Sequence, residues 1–155
     1  MNKIGKLITT VVIVAFALAL AGMVAVASGR AANPVNGSLL AKLETISTQN
    51  LRATAISPAD VYGDEWSTAF IVCPGVEADD ISQALSINAA DLGIEGTVED
   101  NDNYLLVRKD AGQTYAEHFD RHELDLCSGQ PVPSFDSRQM IPLLKTEDGG
   151  WVLAG

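Results

Sequence analysis

An uncharged run of 21 residues, Leu7 to Ala27, lies directly behind Lys3 and Lys6. A helix that is apolar on every side cannot sit on the surface of a small soluble domain, but it partitions readily into a bilayer. The basic start followed by the apolar stretch therefore reads as an export leader. Two fates remain open. The tripeptide Ala25-Val26-Ala27 before Ser28 places small residues where a signal peptidase needs them, so cleavage between Ala27 and Ser28 is sterically allowed. On the other hand, roughly 20 residues rising ~1.5 Å each span the ~30 Å hydrocarbon layer, so the same run suits an uncleaved transmembrane anchor. In both cases the two lysines hold the N-terminus inside and the rest of the chain faces outward. Residues 1–27 are expected to be a signal peptide or membrane anchor, and the protein to be extracytoplasmic, either secreted or anchored in the membrane.

That compartment bears on the chain's two cysteines, Cys73 and Cys127. An even pair in an oxidising environment usually closes into a disulfide. The bridge would enclose a loop of about 55 residues and, in the chain-entropy model, destabilise the unfolded state by about 4 kcal/mol. Free buried thiols are the alternative; a redox or metal pair is disfavoured because no Cys-x-x-Cys motif is present. A bridge requires Cα atoms within about 7 Å, so the segments carrying the cysteines should end at the same side of the domain. They should not be adjacent antiparallel strands in simple register.

The charge balance excludes some partners. Ten Lys and Arg face twenty Asp and Glu, a net charge of −10, and losing the leader would remove two of the cations. A field of this sign repels phosphate backbones and anionic headgroups, which argues against nucleic-acid binding and against peripheral attachment to acidic membranes. Dispersed acids also keep an exported domain soluble.

Residues 28–57 read as a tether carrying a short helix, and residues 58–155 as a single domain. The stretch Ser28 to Gly37 is small, polar and broken by proline and glycine. Ser38 is placed to cap a helix with Leu39, Leu43 and Ile46 on one face. Ser57-Pro58 through Gly63 has the cap, first-turn proline and exit glycine of a single helical turn. Trp66 to Cys73 is dense in aromatic and β-branched residues and predicts a central strand; Glu77 to Leu85 predicts a short helix with acids at its start. Asn88 to Gly93 repeats the cap and exit pattern. Strands are expected at Ile94–Val98, Tyr104–Arg108, Thr114–Phe119 and Glu123–Cys127, and Ile141–Lys145 should face Trp151–Leu153 across Asp148-Gly149-Gly150. The expected fold is α+β: one small, mostly antiparallel sheet with one or two short helices, preceded by the N-terminal signal or anchor helix.

The ordered features Trp66, Cys73-Pro74-Gly75, Asn103-Tyr104-Leu105, Leu124-Asp125-Leu126-Cys127, Pro142-Leu143 and Trp151-Val152-Leu153 resemble those of small exported actinobacterial cell-envelope proteins of unknown function. The resemblance implies export and assigns no catalytic residue.

Candidate sites are few. His118 and His122, with Glu117, Asp120 and Glu123 around them, hold metal-ligand chemistry: four apart on a helix, two imidazoles can meet one ion, whereas on a strand they stand about 13 Å apart at ~3.3 Å per residue. Surface histidines among solvated charges are the plainer reading. Glu99 to Asn103 has oxygens for calcium but lacks the glycine and the distant glutamate of an EF-hand loop. No serine elbow, phosphate loop or dinucleotide fingerprint occurs, so no catalytic residue and no cofactor is assigned. The expected function is a non-enzymatic binding domain, closed by one disulfide, that contacts a protein or glycan of the cell envelope. The alternatives are an extracytoplasmic metal-binding module, or a small hydrolase with carboxylates converging in a cleft.

Overall fold

The computed structural model describes residues 38–129 and 134–154; the leader, the Ala27–Ser28 junction and the rest of the stretch through residue 37 lie outside them. Local sequence chemistry sets the helices. Ser38 caps α1 (Leu39–Ser47), its Oγ accepting from the Ala41 amide at 3.4 Å. Ser57 does the same for α2 (Pro58–Tyr62), accepting from Asp60 at 3.2 Å, with proline at the first position, where its missing N–H costs nothing. Helix α3 (Ala78–Leu85) begins with Asp79 and Asp80 against the positive end of its dipole. A 3-10 helix follows at Ala89–Leu92, capped by Asn88 and ended by Gly93 in the left-handed region.

Eight strands complete the fold: β1 (Ala53–Ile56), β2 (Thr68–Val72), β3 (Asp102–Arg108), β4 (Thr114–Asp120), β5 (Leu124–Asp125), β6 (Phe135–Asp136), β7 (Ile141–Lys145) and β8 (Trp151–Leu153). They form two four-stranded sheets rather than the one expected. The first, in the order β4-β3-β2-β6, is antiparallel throughout. The second runs β1-β7-β8-β5 and is antiparallel except where β5 lies parallel to β8. Strand signals in a sequence report local extension, and the division of strands between sheets depends on contacts far apart in the chain.

Alternation along the first sheet supplies two apolar faces. Val72 and Leu106 join Ile81 and Leu85 of α3 with Ala89, Ile94 and Val98 in one cluster. On the other face Ala69, Leu105, Val107 and Phe119 meet α1 and α2 together with Leu124, Ile141, Leu143 and Trp151 of the second sheet. The first sheet is thus covered on both sides, which matches the unbroken apolar run Leu105-Leu106-Val107, all fully buried.

Two further expectations are corrected. From residue 38 onward the segment read as a tether is built into the domain: Leu39 and Leu43 are buried in the larger core, and β1 pairs with β7 over four residues. Ala53-Thr54-Ala55-Ile56 has too few bulky β-formers to announce a strand, and its partner supplies the order. Ile94–Val98 is not a strand; it makes a single bridge, Glu77 with Thr97, while Ile94 and Val98 plug the α3 cluster.

Candidate functional site

The disulfide between Cys73 and Cys127 forms with a Cα separation of 5.7 Å. Cys73 follows β2 in the first sheet and Cys127 follows β5 in the second, so the bridge fastens the two sheets together. Asn103, wholly buried on β3, makes a second tie. Its Nδ2 donates to the carbonyls of Phe119 at 3.2 Å and Leu124 at 2.9 Å, and its Oδ1 accepts from the Leu126 amide at 3.0 Å. Asp125 completes the corner, accepting from Arg121 Nη2 at 2.9 Å and from the Cys127 amide at 2.8 Å.

The buried carboxylate is Glu117 of β4, the only acidic side chain in the core among the described residues. It sits at the N-terminus of α1. There it accepts from Ser38 Oγ at 2.6 Å, from the Leu39 amide at 3.1 Å and from the Tyr62 hydroxyl of α2. A strand residue 79 positions downstream of Ser38 therefore finishes the helix cap, and three donors with the helix dipole offset the cost of removing the charge from water. Tyr62 is held neutral: burial raises its pKa well above the ordinary tyrosine value, and the Glu117 charge and hydrogen bond add to the shift. Tyr115 makes tilted ring contacts with Tyr62 and Trp66 at this point, with centroids 5.8 and 6.3 Å apart, and Lys109 Nζ lies 4.5 Å above the Trp66 ring. Carboxylate, tyrosine and serine together have the composition of a reactive centre, yet every hydrogen bond Glu117 makes goes to this fold's own donors.

A groove of about 490 Å³ runs along α1. One wall is the helix face made by Leu40, Leu43, Glu44 and Ser47, at the three-to-four spacing that lines up side chains. The opposite wall is the β7–β8 turn, Asp148-Gly149-Gly150, with Trp151 behind it. The turn residues His122 and Glu123 form the end. Gly150 is required here: a Cβ at that position would come within 2.3 Å of the His122 carbonyl oxygen. The same contact lets the Trp151 amide donate to the Glu123 carbonyl at 2.9 Å. Glu44, Glu123 and Asp148 are exposed on the rim, and none has an ion-pair partner among the described residues. The sequence offered no signal for the groove, because its three walls come from segments about 80 and 105 residues apart that become neighbours only through the core.

The two histidines lie in different settings. His118 is on the α3-facing side of β4, its Nε2 2.8 Å from Asp102 Oδ1 and its ring 4.9 Å from Tyr104. His122 is in the turn after β4 and borders the groove. Neither lies on a helix, and no group of three or more His, Cys, Asp or Glu suited to holding a metal occurs among the described residues.

Among the described residues no helix is long and apolar enough to cross a membrane. Comparison with protein-family models, curated proteins and solved structures yields no match.

Proposed function

We propose that the chain is exported and that its domain acts outside the cytoplasm as a non-enzymatic binding module for a protein or glycan of the cell envelope. The observation that carries this reading is the Cys73–Cys127 bridge between the two sheets, a bond that persists in oxidising compartments. The leader, with its basic start and 21 uncharged residues, points to the same compartment, as does the resemblance to exported actinobacterial envelope proteins. Binding is favoured over catalysis because the buried carboxylate is committed to holding α1, while the groove's carboxylates stand exposed at its rim.

Intact mass tests the reading on protein recovered from culture medium and from membranes. The expected species carries a two-hydrogen deficit for the closed bridge, and the mass also reports whether the chain begins at Met1 or Ser28. Full-length protein confined to the cytosol, with both thiols open to alkylation, would overturn it.

A further inference from the structure

We propose that two copies of the chain join edge to edge through β1, antiparallel about a twofold axis at Ala53, so that their second sheets become one sheet of eight strands. The inference goes beyond the binding role and does not depend on it. It starts from hydrogen-bonding groups that β1 leaves unused. The Lys145 amide donates to the Arg52 carbonyl at 2.8 Å, and the Ala154 amide to the Pro142 carbonyl at 2.9 Å. With Ala53 opposite Leu144 in the register of β1 on β7, these bonds aim residues 52, 54 and 56 at β7 and turn the N–H and C=O of Ala53 and Ala55 outward. Both alanines are exposed, and neither backbone has another partner among the described residues.

Free strand edges are normally guarded by shortness, charge or proline. The other three edges here are guarded: β5 and β6 have two residues each, and β4 exposes His118 and Asp120. β1 is Ala-Thr-Ala-Ile, with none of these devices. The sheet face beside it is apolar and open. Ile141 and Leu143 are buried on the core side, so alternation sets Met140, Pro142 and Leu144 on the opposite face, next to Ala53 and Ala55. Leu51, Met140 and Leu144, at 46 %, 53 % and 46 %, are the large apolar side chains left exposed among the described residues. A strand that fits this edge must itself be unpaired, uncharged and small on alternate positions, and β1 meets that description. Centred on Ala53, the pairing sets Ala53 against Ala53 and Leu51 against Ala55 of the second copy, so it uses the outward-turned groups and places the bulky Leu51 beside a small residue, with Pro142 next in the row. One short strand per copy is a small contact beside the roughly 1,200–2,000 Å² of stable complexes, so the dimer forms and separates with concentration. Each copy carries −10, so salt that screens the repulsion favours the pair.

Amide exchange read by NMR tests the pairing on the full-length oxidised chain, in micelles if the leader is retained, at rising protein concentration. Thr54 and Ile56 should be protected throughout, whereas Ala53 and Ala55 should gain protection only as sedimentation shows the protein mass doubling. Ala53→Pro deletes both Ala53–Ala53 hydrogen bonds without touching the ladder to β7, so the dimer should dissociate roughly thirtyfold more readily. Ala55→Lys puts a charge on the edge and should weaken the pair as well, while Met140→Lys, on the same face but off the edge, should leave it intact. Retained protection of Thr54 and Ile56 shows that each variant is folded. Raising salt from about 50 to about 500 mM should tighten the dimer. A monomer at every concentration, a dimer in which Ala53 and Ala55 exchange as fast as in the monomer, a dimer indifferent to Ala53→Pro and Ala55→Lys, or one that Met140→Lys splits or salt loosens would each overturn the proposal.

Discussion

At the scale of single residues, the most costly decision in this fold is the burial of Glu117. An unpaired buried carboxylate would be strongly destabilising, so its three donors have to be present together. Tyr62→Phe removes one donor without changing shape and should lower unfolding free energy in urea by about 2 kcal/mol, the usual worth of a hydrogen bond to a charged group. A pH dependence follows from the same contact. Because the folded-state pKa of Tyr62 is raised, the stability its neutral hydroxyl contributes is complete below the ordinary tyrosine value near 10 and is lost as pH rises through the folded-state pKa. Urea unfolding across the alkaline range should show a loss of stability above about pH 10 that Tyr62→Phe makes shallower. Equal slopes in the two proteins would remove Tyr62 from that account.

At the scale of elements, α1 was legible as a helix but not as part of the core. Ser38 and the spacing of Leu39, Leu43 and Ile46 are local signals, and so are the caps of α2 and the 3-10 helix and the acids in the first turn of α3, which the structure reproduces. The β3–β4 hairpin and the β7–β8 pair were legible for the same reason, each being strands joined by a short polar turn. The Glu117 cap was not, since nothing near residue 117 in the chain refers to residue 38. Strand β1 was missed because alanines and a threonine become a strand only beside β7. Isolated helices shorter than ~12 residues are marginal, so the nine residues of α1 must take their stability from packing. Leu43→Ala should therefore cost about 2–5 kcal/mol, as expected of a core leucine, with Lys42→Ala on the exposed side within ~0.5 kcal/mol. Thermal unfolding of the pair separates the two roles: similar small losses for both would mean that α1 is an appendage.

At the scale of the whole molecule, the larger core is a joint between two sheets, and a joint can open. Its apolar contacts are non-directional, so they favour contact without fixing which strand ends meet. Asn103 and the disulfide provide that direction: one takes three backbone partners, in β4, in β5 and just after β5, and the other pins the end of β5 to the end of β2. With the cysteines 54 positions apart in the sequence, reduction should cost about 4 kcal/mol in the chain-entropy model and lower Tm by roughly 15 °C for a domain of this size. The loss should not be uniform. Hydrogen exchange in the reduced protein should accelerate first around β5 and the end of β2, where the bridge acts, while the seven-pair β3–β4 hairpin keeps its protection. Unchanged exchange at β5 after reduction would mean that Asn103 alone holds the sheets in register, and the bridge would then stabilise this protein only by restricting its unfolded chain.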